Sequence, residues 1–335
     1  MSSCLSRISV YGAGSWGTAL ALQLARNGVD VLLWDYSTEH IDTLAVERVN
    51  RHYLPDIPFP DKLQCTPKVE ELVEHSICQL VVVPSHGFRD LLKKIKPLLT
   101  DEHRIVWATK GLEVGSGKLL HEVLCEELGS ESQYGVVSGP TFALEVAKGL
   151  PTAMTAASNE ESLASLVARA FQGDNFRVYT SDDVLGVELG GAVKNVLAIA
   201  AGISDGLGYG ANARAALITR GLAEISRLGK AMGANHNTIM GLAGVGDLVL
   251  TCTDNQSRNR RLGLALGQGK EMDAAIEEIG QAVEGYKSSH SINALAEKAG
   301  VEMPICQQVH GILYKGMSPH IAVRELLSRE QKSEY

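Results

Sequence analysis

The segment LGGAVKNVLAIAAG, Leu189 to Gly202, holds a single ion, Lys194, beside Asn195. On a helix, the positions three, four and seven residues away are Gly190, Gly191, Val187, Leu197, Ala198 and Ala201. No solvated face exists, so this helix is expected to be enclosed on most sides. An ammonium there has two readings. It snorkels past a helix end to water, or it is aimed into a cleft where a fixed positive charge assists a reaction. Three further stretches place polar groups suited to a small anion. WATKGLE puts Lys110 just after a strand, and VVSGPTFALE makes a turn at Gly139 with Thr141 and the following N–H groups as donors. QSRNRRLG opens a helix with Ser257 as N-cap and Arg258 and Asn259 in the first turn. Cations at that end oppose the helix dipole, which makes sense if they receive an anion such as phosphate. Arg260 and Arg261 are expected on a solvated basic face. In GVGDLVLTCT, Asp247 and Thr251 stand four residues apart and share one helical face. They either support Lys194, holding it in place and protonated, or serve as an N-cap and a core residue.

A second constellation belongs to nucleotides. YGAGSWG supplies Gly12, Gly14 and Gly17 between the strand RISVYG and the helix SWGTALALQLARNG. Gly12 permits the tight turn, Gly14 lets the backbone approach a pyrophosphate, and Gly17 lets helix pack on strand. Asp35 follows the next strand, DVLLWD, where an acid either hydrogen-bonds the adenosine ribose, favouring NAD, or begins a turn. Tyr36 follows it, with no adjacent arginine for a 2′-phosphate, and the choice between NAD and NADP stays open. VVVPSHGFRDLL places Phe88 near the C-terminal end of a strand, where it is expected to wall the cofactor. His86 is read as a polar loop residue.

These residues need a scaffold. Strand-like and helix-like segments alternate through the first half: QLVVVPS, RIVWATKG and YGVVSGP read as further strands, apolar on both faces like buried parallel strands, and PTAMTAAS and FRVYTSDD also read as strands. After Asp183 the strands give way to helical candidates at 184–205, 211–232, 237–253, 258–266 and 272–279. The expected architecture is α/β: a Rossmann-like doubly wound sheet over 1–183, then an all-helical substrate and catalytic domain over 184–335. The 335 residues carry a net charge of −8, which argues against nucleic acid or anionic membrane as partner. Six scattered cysteines (Cys4, Cys65, Cys78, Cys125, Cys252 and Cys306) lack metal-ligand or disulfide spacing, so reduced cytosolic thiols and no metal are expected. No signal peptide or transmembrane span is expected.

Taken together, GAGSWGTALA, RHYLPDIPFPDKL, ATKGLE, SGPTFA, GGAVKNVLAIAAGISDGLGYGANARAALITRGLAEI, GLAGVGDLVLTCTDNQSRNRRLG and VEGY closely resemble the NAD(P)-dependent glycerol-3-phosphate dehydrogenases of the soluble bacterial type, over effectively the full length. The resemblance implies a C-terminal domain of the 6-phosphogluconate dehydrogenase type. It also implies interconversion of dihydroxyacetone phosphate and sn-glycerol 3-phosphate, in the cytoplasm and for phospholipid synthesis. Lys194 matches the proton donor and acceptor, and Asn195 and Thr251 match residues that support it. Lys110, Gly139, Thr141, Asp247, Ser257, Arg258 and Asn259 match substrate-binding positions. Ser15, Trp16, Lys110, Ala143, Arg258, Ala282 and Glu284 match cofactor contacts. Asp35 and Tyr36 depart from common family residues, which sets the sequence against a strong NADP preference; Ala282 departs from a common valine, at a contact that backbone can make. A homodimer is plausible for the family. The alternatives are a related two-domain β-hydroxyacid or sugar-acid dehydrogenase, and an NAD(P)-sensing protein without turnover.

Overall fold

Strands apolar on both faces need cover on both faces, and the N-terminal half supplies it with helices. The computed structural model describes residues 5–330 and Ser333, so Cys4 lies outside the described residues. Eight strands form one sheet: β1 (Arg7–Tyr11), β2 (Asp30–Trp34), β3 (Leu63–Cys65), β4 (Cys78–Val81), β5 (Arg104–Trp107), β6 (Tyr134–Ser138), β7 (Thr152–Ser158) and β8 (Phe176–Ser181). Their order is β3-β2-β1-β4-β5-β6-β7-β8. The strand order reverses between β1 and β4, so their C-terminal ends open the crevice where doubly wound sheets take ligands. Every pairing is parallel except β6 with β7, which is antiparallel. The expected all-parallel reading fails there because an apolar run carries no sign of strand direction. The helices are α1 (Ser15–Arg26), α2 (Thr38–Glu47), α3 (Val69–His75), α4 (Ser85–Ile95), α5 (Leu120–Leu128), α6 (Ala143–Ala147) and α7 (Glu161–Phe171).

Helices then take over: α8 (Val184–Gly206), α9 (Ala211–Met232), α10 (His236–Ile239), α11 (Asp247–Thr253), α12 (Arg258–Gly267), α13 (Met272–Ile279), α14 (Glu284–Lys298), α15 (Pro304–Lys315) and α16 (Pro319–Leu327). The chain divides into two compact units: an α/β unit, Met1–Glu113 with Lys118–Glu188, and a helical unit, Val114–Gly117 with Leu189–Tyr335. By length and composition α8 is able to cross a membrane, but 94% of its apolar window is buried inside the protein. The single helix expected over 237–253 is instead α10, a π-helical turn at Leu242–Gly246, and α11. Three glycines, Gly241, Gly244 and Gly246, concentrate in that stretch and loosen the α-helical ladder.

Candidate functional site

The glycine-rich turn of the α/β unit is built by exclusion. Gly12 sits at φ +110°, a left-handed conformation that side chains disfavour, and its N–H donates to the Trp34 carbonyl oxygen at 2.7 Å. A Cβ on Gly17 would fall 1.8 Å from the Gly12 carbonyl oxygen, so α1 packs on the turn only with glycine there. Gly14 is the N-cap of α1 without a side-chain cap, and a Cβ there would meet nothing within 4 Å. Open space over the first N–H groups of a twelve-residue helix, at Ser15 and Trp16, fits a pyrophosphate.

The peptide of Ala13 is clamped from both sides. Asp35 Oδ2 accepts its N–H at 2.7 Å, while Asn50 Nδ2 donates to its carbonyl at 2.8 Å. Asp35 Oδ1 also accepts from Ser37 N at 3.1 Å. The turn-forming reading of Asp35 is thus real, and it puts the carboxylate beside the glycine-rich turn. Asn50 was not legible as a site residue: it is fully buried and lies 37 positions from Ala13, with no local motif to mark it. Tyr36 is 85% exposed.

Lys110 follows β5 and its Nζ lies 6.0 Å from the centroid of the Trp16 ring. A Cβ on Gly139 would lie 2.8 Å from Met154 Cα. The Thr141 hydroxyl donates to the Gly139 carbonyl at 3.0 Å, so its hydrogen is committed within the turn rather than offered outward, and Ala143 opens α6. Phe88 is a correction: it is fully buried, edge-on to Trp107 at 5.9 Å, and presents no surface to a cofactor. An apolar ring on the inner face of α4 belongs to the core. His86 lies in the first turn of α4, not in a loop.

The helical unit resolves the question of Lys194. It is mid-helix and 6% exposed, so it does not snorkel. Its Nζ forms an ion pair with Asp247 and donates to Thr251 Oγ1 at 3.0 Å. Thr251 in turn donates to the Asp247 backbone oxygen at 2.6 Å, one helical turn away. Asp247 therefore serves the lysine rather than an N-cap. The π turn before Asp247, marked by Gly246 N donating to Gly241 O at 3.1 Å, itself packs hard against α8. A Cβ on Gly190 would lie 2.4 Å from the Ala243 carbonyl oxygen.

Asn195 extends this group. Its Oδ1 accepts from Asn259 Nδ2 at 2.9 Å, and its Nδ2 reaches Glu284 Oε2 at 3.5 Å. Asn259 Oδ1 accepts from Gly285 N at 2.8 Å. Ser257 caps α12 by accepting from Arg260 N at 3.2 Å, and half-buried Arg258 is its first residue. Gly285 was missed as a site residue: a Cβ there would fall 2.6 Å from the Asn195 carbonyl oxygen. Ala282 is exposed just before α14, which Glu284 begins. Arg260 overturns its expected solvated placement. It is 7% exposed and pairs with Asp205, a partner 55 positions distant. Arg261 is exposed.

A glycine-rich βαβ turn in one unit, and a buried ammonium beside a capped, cationic helix start in the other, define a nicotinamide-dependent dehydrogenase. Residues 7–164 match the family described as NAD-dependent glycerol-3-phosphate dehydrogenase N-terminus, and 183–324 its C-terminus. The chain belongs to the NAD-dependent glycerol-3-phosphate dehydrogenase family. It is 58% identical to glycerol-3-phosphate dehydrogenase [NAD(P)+] of Thioalkalivibrio sulfidiphilus, over 98% of both chains. With the enzyme of the same name from Pseudoalteromonas translucida, identity is 55% over 100% of both. The crystal structure of glycerol-3-phosphate dehydrogenase from Coxiella burnetii superposes with a TM-score of 0.94 at 51% identity, covering 97% of this chain and 99% of that one.

Proposed function

We propose that this protein interconverts dihydroxyacetone phosphate and sn-glycerol 3-phosphate using NAD(H) or NADP(H), with Lys194 as proton donor and acceptor. The observation that carries the reading is the buried Lys194–Asp247–Thr251 group, joined through Asn195 and Asn259 to the first turn of α12. Reduction of a ketone leaves negative charge on its oxygen. The Lys194 ammonium stabilises that charge and delivers the proton; in the reverse direction the neutral amine takes the hydroxyl proton. Asp247 and Thr251 fix the direction of the amine, and Asn195 orients Asn259. Arg258, Asn259 and the Ser257-capped helix start hold the phosphate, a part of the substrate that does not react. That binding positions the carbonyl. Lys110, Gly139 and Thr141 are further substrate contacts. A nicotinamide, when bound, supplies or accepts the hydride. Gly12, Gly14, Ser15, Trp16 and Gly17 would hold its pyrophosphate. Asp35 would face the adenosine ribose, with Lys110, Ala143, Arg258, Ala282 and Glu284 as further contacts. The α/β part, 1–183, serves the cofactor, and 184–335 the substrate. The enzyme works in the cytoplasm, as a dimer, to supply glycerol 3-phosphate for phospholipid synthesis.

The test is a spectrophotometric assay following NADH and NADPH oxidation separately, with dihydroxyacetone phosphate and a panel of 3-hydroxy and 2-keto acids. Turnover of the phosphorylated ketone is expected, faster with NADH because the Asp35 carboxylate repels a 2′-phosphate. Turnover of an acid in its place would support a β-hydroxyacid or sugar-acid dehydrogenase instead.

A further inference from the structure

Two helices that carry the proposed chemistry touch backbone to backbone. Gly202 and Gly206 on α8 face Gly263 and Gly267 on α12. A Cβ on Gly202 would lie 2.1 Å from the Arg260 carbonyl oxygen, and one on Gly206 2.4 Å from that of Leu264. From the other side, a Cβ on Gly263 would lie 2.0 Å from the Ile199 carbonyl oxygen, and one on Gly267 2.5 Å from that of Ile203. Side chains are thus excluded at successive turns on both helices, and the interaxial distance is as short as backbones allow. A seam without side chains sets distance well. It offers few knobs to stop one helix sliding along the other.

Arg260 supplies the stop. Its guanidinium pairs through Nη2 with Asp205 near the end of α8 and through Nη1 with Asn255. Its Nε donates to the carbonyl oxygen of Cys252 on α11 at 3.1 Å. One buried cation therefore ties α12 to both α8 and α11. Those three helices carry Lys194, the Asp247–Thr251 pair and the first turn containing Arg258 and Asn259. Lys194 lies about two helical turns from Gly202, and Arg258 rather more than one turn from Gly263. A slip of α12 along the seam would shift its first turn relative to the ammonium by the same amount.

We propose that Arg260 is a positioning residue: it locks the register of α12 on α8 across the glycine seam, and so sets the distance from the Lys194 ammonium to the first turn of α12. The two helices act as a ruler for a substrate whose reacting oxygen and phosphate are a fixed number of bonds apart. The inference rests on the proposed function, in which this turn holds phosphate. Arg214 Nη1 also pairs with Asp205, at 2.7 Å, so Arg260→Met leaves that carboxylate a partner and keeps the buried stem.

The experiment compares Arg260→Met, Arg260→Lys and Gly263→Ala with wild type, using exposed Arg261→Ala as control. It measures kcat/KM for dihydroxyacetone phosphate and for unphosphorylated dihydroxyacetone, with thermal melting to confirm folding. A misplacement near 1 Å costs about 100-fold in a positioned reaction, so Arg260→Met is expected to lose about 10- to 100-fold for the phosphorylated ketone. Dihydroxyacetone has no phosphate to align and is expected to change by less than about threefold. Arg260→Lys recovers part of the loss, and Arg261→Ala stays at wild type. Gly263→Ala follows Arg260→Met where it folds; where it does not, Arg260→Met decides alone. Equal losses for the two ketones, or unchanged selectivity in folded Arg260→Met, would overturn the ruler. Wild-type protein that does not discriminate between the two ketones overturns the phosphate reading itself, and the ruler with it.

Discussion

An ammonium that is 6% exposed needs partners that are themselves held in place. Thr251 commits its only hydroxyl hydrogen to the Asp247 backbone, so it meets Lys194 with lone pairs alone. The amine is thereby oriented by acceptors from a single turn of α11. Lys194→Ala should lower kcat by about 100-fold or more, with NADH affinity retained, since the glycine-rich turn is untouched. Stopped-flow turnover with fluorescence titration of NADH checks both halves. Near-normal turnover removes Lys194 from the proton-transfer role. Much of this was legible from residues. Lys194 was conspicuous as one ion in an apolar run, and Asp247 and Thr251 by helical spacing. Arg260 and Phe88 were misplaced for a common reason. Charge and ring type say what a side chain needs, while Asp205 and Trp107, which meet those needs, lie far along the chain.

At the scale of elements, helix ends show how one segment completes another. α15 starts at Pro304, and the N–H groups of Ile305 and Cys306 go to Glu224 on α9, at 2.7 and 3.2 Å. Burial raises the Glu224 carboxyl above its ordinary value of 4.5, and these two N–H groups only partly offset it. The folded state therefore binds that proton more tightly than the unfolded chain. Its stabilising contribution is full below pH 4.5 and is lost as pH rises through the raised value. Melting temperatures of wild type and Glu224→Gln, measured from about pH 4 to pH 7, should show the glutamate losing ground to the glutamine as pH rises. A difference constant across that range would contradict the raised carboxyl. The elements themselves were legible where pattern and punctuation agree: α9 and α13 run as expected, ending at Gly233 and Gly280 in left-handed conformation. β3 escaped notice because three residues are too few for a period. The π turn escaped because three glycines tolerate a continuing helix as well as a broken one.

At the scale of the molecule, each unit has its own organisation. The sheet buries apolar side chains against helices on both of its faces, and α8 is the buried centre of the helices that follow. The expected boundary at 183 marks where strands stop, whereas the boundary between the compact units, after Glu188, falls inside α8. A continuous helix gives composition nothing to change at that point, so a sequence reading stops at its start. The proposed division of labour makes a measurable claim. A ligand present at about 100 times its Kd stabilises the segments that bind it by about 2.7 kcal/mol, and slows their amide exchange where local opening governs it. NADH alone should protect Gly12 to Thr18 at the start of α1. Glycerol 3-phosphate alone should protect Asp247 to Leu262, where α11 and the first turn of α12 carry the proposed lysine partners and phosphate grip. Hydrogen exchange read by mass spectrometry resolves both segments. Protection by glycerol 3-phosphate that bypasses Asp247 to Leu262 would place the substrate elsewhere, and would detach the Lys194 cluster from the chemistry assigned to it.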